Sequence, residues 1–258
     1  MVEDINHRFT RDVLTRSIRS ATLSTTARNL LKDREAPFDL MANIDHDSVL
    51  ASIRKLLDIL EKEEQTVEVS EVHAYQIREY LLLLDLVMEI DQLHLPDVNV
   101  RDKKTIISQP GLRYAQVKAH VDALMMDEMF AQLSIVERTR VIDRVMSTIQ
   151  GRMMEDIVLL ETKLANPRKQ VFQLQFPVGG FDMVVFDPDT LSCAIYEVKH
   201  STEIVPAQYQ HLIDKEKCAA CEHRYGTITG RYVIYRGEDA SSDGIEYLNV
   251  EEYLKSLG

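Results

Sequence analysis

Apolar residues recur at helical spacing through the first part of the chain and change to a two-residue alternation near Asn166-Pro167. Leu50, Ile53, Leu56, Leu57 and Leu60 lie three or four positions apart, and Asp47-Ser48 offers N-cap chemistry just upstream. From Val72 to Ile90, the positions Ile77, Tyr80, Leu81, Leu84 and Met88 form one stripe and predict a second helix. The charged stretch Lys62 to Val69 between them carries β-branched residues and reads as a connector, so helices followed by a short ribbon suggest a winged-helix-like unit. Leu95-Pro96 reads as a break, Thr105-Ile106-Ile107 as a short strand and Gln109-Pro110-Gly111 as a turn. Leu112 to Met126 and most of Ile135 to Leu164 then return to the helical period.

Beyond Asn166-Pro167 the runs Gln170 to Phe176, Phe181 to Phe186 and Leu191 to Val198 read as strands, separated by turns at Gly179-Gly180 and Asp187-Pro188-Asp189. Pro206 opens a helix expected to reach about Arg224, since proline suits a first helical turn. Arg231 to Tyr235 and Ile245 to Leu248 read as further strands, and Val250 to Leu257 as a closing helix. The first three strands are joined tightly enough for an antiparallel meander, whereas the next needs a helical crossover and can pair in parallel. The expected architecture is α+β: a helical, winged-helix-like domain over residues 1–134, then a mixed sheet flanked by helices over 135–258.

Alternation places chemistry on this sheet. Side chains two apart on a strand share a face, so Glu197 and Lys199 project together. A hairpin turning near residue 189 sets residues around 182 opposite 195 to 197, which brings Asp182 to the same place. A Glu-x-Lys on a strand is commonly a solvated face, and an Asp beside Gly-Gly is commonly a turn residue. The agreement of the spacing with convergence separates this trio from those readings. Two carboxylates beside an ammonium suit phosphodiester hydrolysis, with the carboxylates holding a hard divalent cation and the lysine steadying a water or developing phosphate charge.

Charge alters the picture of partners. The 258 residues carry 30 Lys and Arg against 42 Asp and Glu, a net charge of -12. That balance argues against a broad basic surface coating nucleic acid. It leaves room for a nuclease, in which metal ions supply positive charge locally. No apolar run reaches the length of a membrane span, and the start, Met1-Val2-Glu3-Asp4, has no signal-peptide core. Three cysteines make no even disulfide framework, so the expectation is a cytoplasmic protein. Cys218 and Cys221 have the spacing of half a zinc site, but a structural zinc needs four ligands and there is no second pair. They read as small buried residues of a helix.

The order helix, three strands, helix, strand with Asp182…Glu197-x-Lys199 resembles the restriction-endonuclease-like PD-(D/E)XK superfamily over about residues 150 to 236. The resemblance implies that Asp182 and Glu197 bind magnesium (or manganese) and that Lys199 assists the nucleophilic water. It adds Glu155, on the preceding helix, as a further metal ligand, and Gln208 and His211 as polar helpers near a phosphate or water. Phe181 stands where the superfamily has a proline. Gly151-x-x-x-Glu155 followed by Val158, and the stretch Thr105 to Tyr114, resemble a narrower group: the C-terminal nuclease-like region of bacterial and archaeal AAA-type ATPases. This chain has no Gly-x-x-x-x-Gly-Lys-Ser/Thr, so no P-loop, and the resemblance implies the part of such a protein that follows its motor.

Three functions follow as expectations. The first is a magnesium-dependent nuclease-like domain acting on nucleic acid, DNA foremost. The second is an inert nuclease-fold module that binds a partner protein or regulates the ATPase motor. The third is a winged-helix DNA binder with an inert tail, for which Arg8, Arg11, Arg16 and Arg19 are a sparse basic cluster. Lys215 and Lys217 alternate with Asp214 and Glu216 and read as a solvated face.

Overall fold

The computed structural model describes residues 70–97, 99–126 and 128–258. The expected helix at Leu50 to Leu60, the ribbon at Lys62 to Val69 and the arginines near the start lie outside them, and so does most of the expected winged-helix-like unit. The described residues fall into two compact units, 70–83 with 111–150 and 84–110 with 151–258.

The first unit is helical: α1 (Glu71–Leu83), α2 (Pro110–Met126), α3 (Glu128–Ala131) and α4 (Ile135–Ala165) as far as Gln150. Proline opens α2, where the expectation was a turn, because a first-turn N–H has no intrahelical partner to lose. A capping box starts α4: Ser134 Oγ accepts from the Glu137 backbone N–H (3.3 Å) while a Glu137 carboxylate oxygen accepts from the Ser134 N–H (3.2 Å). Val141, Val145 and Ile149 are fully buried at four-residue intervals, the stripe expected of an amphipathic helix.

The second unit is built on one eight-stranded sheet in the order β2-β1-β3-β4-β5-β6-β8-β7. Its strands are β1 (Val87–His94), β2 (Arg101–Ile107), β3 (Gln170–Gln175), β4 (Gly180–Asp187), β5 (Ser192–Lys199), β6 (Thr227–Tyr235), β7 (Ala240–Ser242) and β8 (Ile245–Asn249). β3, β4 and β5 form the expected antiparallel meander, and β6 pairs in parallel with β5 after a helical crossover. The α+β reading of this region therefore holds.

One expectation is corrected here. The predicted helix from Val72 to Ile90 stops at Leu83, and Val87 begins β1. Asp85 takes a left-handed conformation (φ 52°), which an aspartate tolerates better than most residues and which ends the helical path. The short strand expected at Thr105 to Ile107 is the end of β2, and the hairpin β1–β2 joins the sheet of the second unit: β1 pairs in parallel with β3, from Asp91 with Phe172 to His94 with Gln175.

The helix expected from Pro206 to Arg224 is also divided. Pro206–Gln208 is a single 3-10 turn, and α5 runs Lys215–Tyr225. The Asp214 carboxylate accepts from the N–H groups of Glu216 and Lys217, and this N-cap restarts the helix. A last helix, α6 (Val250–Ser256), is capped in the same way by Asn249.

Each face of the sheet buries a core. On one face Met154, Val158 and Leu159 of α4 pack with Ile90, Ile106, Val171, Met183, Val185, Val198 and Ile234. On the other, Leu212 and Cys218, Cys221 and Tyr225 of α5 pack against Phe172, Leu174, Phe181, Val184, Cys193, Ile195 and Val233. Neighbours such as Val233 and Ile234 serve opposite faces, as strand alternation requires. Phe172, 2% exposed, meets the Tyr225 ring at 4.8 Å between centroids. Phe172→Ala is expected to cost about 3–5 kcal/mol of stability, measured by urea unfolding; a loss under about 1 kcal/mol would mean that the cavity collapses freely.

Candidate active site on strands β4 and β5

The β4–β5 register pairs Asp187 with Ser192 and Met183 with Tyr196. One further step sets Asp182 opposite Glu197, as the midpoint near residue 189 predicts. On the other side β4 carries an irregularity: Phe172 faces Val184 but Leu174 faces Phe181, so Asp182 and Met183 together answer the single residue Gln173. This bulge allows Phe181 to enter the α5-side core while its neighbour Asp182 is aimed at Lys199.

The three predicted residues converge. Lys199 Nζ lies 2.9 Å from Asp182 Oδ2 and makes a short ion pair with Glu197 Oε2. Asp182 Oδ2 also accepts from the Val198 backbone N–H at 2.9 Å. The Glu197 carboxyl is almost wholly enclosed, at 3% exposure, while Asp182 and Lys199 reach solvent at 27% and 31%. The group is thus sealed at its base and open at its mouth.

Burial and the neighbouring Asp182 carboxylate push Glu197 up to about 9, against the pull of Lys199. Asp182 moves the other way: burial opposes its charge, but Lys199 and the hydrogen bonds it accepts hold it below the usual carboxylate range. Lys199 is itself raised, because attraction to Asp182 and Glu197 outweighs its own desolvation. Two neighbouring carboxyls are thus pushed in opposite directions around a fixed ammonium.

Glu155 does not join this group. Its Oε1 receives Lys104 Nζ at 2.6 Å and Gln173 Nε2 at 2.8 Å. The same Gln173 nitrogen lies 3.2 Å from the backbone carbonyl oxygen of Asp182, so Glu155 is linked to the site through Gln173. Among the described residues, no three His, Cys, Asp or Glu side chains gather closely enough to hold a metal ion. Gln173 and Lys104 were missed from sequence. The signal for Gln173 was a glutamine within the apolar run Val171 to Leu174; for Lys104, with its partner 51 residues away, there was none.

The two helpers differ. Gln208 is buried and binds its own loop, donating to Ser201 Oγ (2.6 Å) and the Glu203 carbonyl (2.9 Å) and accepting from the Val205 N–H (3.2 Å). It shapes the chain between β5 and α5 and makes no hydrogen bond to Asp182, Glu197 or Lys199. His211 lies over the Gly179 turn before β4: a Cβ on Gly179 would meet its ring at 2.5 Å, and Gly179 also holds φ +71°. Desolvation, then Lys217 and Lys199, lower its pKa, so a neutral imidazole borders the site. Lys217, expected on a solvated face, is instead half-enclosed, with Nζ 2.7 Å from His211 Nδ1 and 5.8 Å from the Phe176 ring centroid.

The cysteines pack as small core residues: Cys218 Sγ donates to the Leu212 carbonyl at 3.2 Å, and Cys193 and Cys221 sulfurs lie 3.9 Å apart. No helix among the described residues is long and apolar enough to cross a membrane.

A divalent cation is the group that the superfamily resemblance implies here, and the donors fit one. Glu197 Oε1 is a buried carboxylate oxygen with no hydrogen-bond partner, and Asp182 supplies hard oxygen beside it. Magnesium needs only one or two protein carboxylates, since it keeps much of its water. No protein family, curated protein or solved structure matches the chain.

Proposed function

We propose that the second unit is a divalent-metal-dependent phosphodiesterase of the nuclease-like type, acting on nucleic acid with DNA as its first substrate. The observation that carries this reading is the meeting of Asp182, Glu197 and Lys199 across the β4–β5 register, with Glu197 Oε1 buried and unpartnered. Asp182 and Glu197 would hold magnesium or manganese, which when bound lowers the pKa of water and offsets phosphate charge. Lys199 stays protonated throughout the physiological range. It therefore serves as a fixed positive donor, orienting a water by hydrogen bond and meeting the charge that grows on the phosphoryl oxygens. Glu197, pushed up to about 9, would give up its proton in exchange for the cation it holds. The enclosed base of the group keeps bulk water from screening these charges.

The test is cleavage of single- and double-stranded DNA in magnesium or manganese. Asp182→Asn is expected to lower the rate at least 100-fold, on the order expected when a charge-stabilising group is lost. Unchanged cleavage would reject the assignment.

A second reading follows from the Lys199 ammonium, which already occupies the space between both carboxyl groups, and from the net charge of -12. Here the domain is an inert nuclease-fold module that serves an AAA-type ATPase motor or a partner protein. Calorimetry separates the two: no heat of binding at millimolar magnesium or manganese favours the module.

A further inference from the structure

Glu155 has an occupant other than a metal ion. Lys104, from the hairpin strand β2, sets its Nζ 2.6 Å from Glu155 Oε1 and 3.1 Å from Asp156 Oδ1. All three side chains are withdrawn from water, at 18%, 18% and 3% exposure. Gln173 Nε2 fills the same Glu155 oxygen and also reaches the Asp182 carbonyl at the β4 bulge. A divalent ion at Glu155 would have to displace a buried ammonium and an amide donor. At Glu197 Oε1 there is no donor to displace.

We infer that Lys104 is a built-in cation standing where a divalent ion would otherwise bind Glu155, so that the site takes one divalent ion, held by Asp182 and Glu197. This inference rests on the reading of that pair as an ion-holding pair. Lys104 and Gln173 are then positioning residues. The lysine fixes the Glu155 carboxylate, and the glutamine carries that hold to the backbone of Asp182, keeping its carboxylate turned toward Lys199. A lysine is suited to this role because its compact charge satisfies two carboxylates at once. The attraction of Glu155 and Asp156 outweighs the desolvation of Lys104 and keeps it charged.

The experiment titrates manganese alone into the chain and counts bound ions by electron paramagnetic resonance and calorimetry. One ion per chain is expected for the native sequence. Glu155→Gln should leave that count unchanged and the Kd within about threefold, whereas Glu197→Gln should weaken binding at least tenfold. Lys104→Met should open the Glu155–Asp156 pair to a second ion, Lys104→Arg should keep the count at one, and Lys104→Met with Glu155→Gln should restore it to one. Two ions in the native chain, a tenfold loss in Glu155→Gln, or a folded Lys104→Met that still takes one ion would each overturn the inference while leaving the Asp182–Glu197 pair standing. No manganese bound by the native chain would overturn the reading of that pair, and the inference with it. If Lys104→Met does not fold, the native count and Glu155→Gln decide the matter.

Discussion

Replacing Lys199 with methionine is expected to cost roughly 3 kcal/mol of folding stability in metal-free buffer, the low end of the range for breaking a buried ion pair. The low end applies because Lys199 is itself 31% exposed, whereas the Glu197 side chain it leaves behind is only 3% exposed. Removing the ammonium leaves the Asp182 carboxylate beside the enclosed Glu197 carboxyl with no countercharge. A divalent ion at the pair should then supply what the lysine supplied, so millimolar magnesium or manganese should raise the variant's Tm by more than it raises that of the native chain. The proposed DNA cleavage should remain lost even with metal present, because Lys199 is the donor that the proposal assigns to the phosphoryl oxygens. Thermal melts with and without metal, paired with a cleavage assay, check both parts. A variant as stable as the native chain, or one that cleaves normally, would show that Lys199 belongs to a solvated face after all.

The second large effect lies in the pH dependence of stability. Glu197 is raised from an ordinary value of 4.5 to about 9 in the folded chain. A raised folded value means that the native state keeps a proton which the unfolded chain releases. Its stabilising contribution is complete below about pH 4.5, declines as the pH rises and is lost by about pH 9. Each pH unit in that window removes up to about 1.4 kcal/mol from this source. Asp182, with its pKa lowered, acts below its ordinary 3.8, and Lys199, raised from 10.5, acts above that value, so neither cancels the trend between. Glu197→Gln should flatten the stability profile from pH 5 to 9 and make the variant the more stable protein at pH 8, by roughly 2 kcal/mol or more. Urea unfolding at each pH is the measurement. Parallel slopes for the two proteins would place the titrating proton elsewhere.

The hairpin that carries the site was legible in sequence because everything that defines it is local. The turn at Asp187 to Thr190 and the alternation on either side fix the pairing frame, and Asp182 and Glu197 fall on its two arms. α4 was legible for the same reason, its stripe running over many turns. The β1–β2 hairpin was not. Leu81 to Leu84 continue a helical stripe into Met88, and only the backbone reversal at Asp85 breaks it. Arg101 to Lys104 conceal a strand behind four charged residues, because β2 is an edge strand whose outward positions meet water. Lys104, the one of these that turns inward, finds its carboxylate partners only when β1 pairs with β3, a contact across a long stretch of chain. Glu155 was placed on the right helix, but its role depended on that unseen lysine. Gln208 was read as a member of a helix; its side chain instead ties the loop that replaces the helix's first turns.

The irregularity in β4 also determines which sequence changes this sheet can absorb. Because two residues of β4 answer one of β3, the strand runs in one reading frame from Gly180 to Phe181 and in the next from Val184 onward. Deleting a single residue at the bulge would heal the ladder and give a more regular sheet. It would also turn Phe181 out of the α5-side core and reverse the Gly179-Gly180 turn beneath His211. Regularity and the Asp182 constellation are therefore alternatives in this strand, and a design that straightened it for stability would take Asp182 away from Lys199.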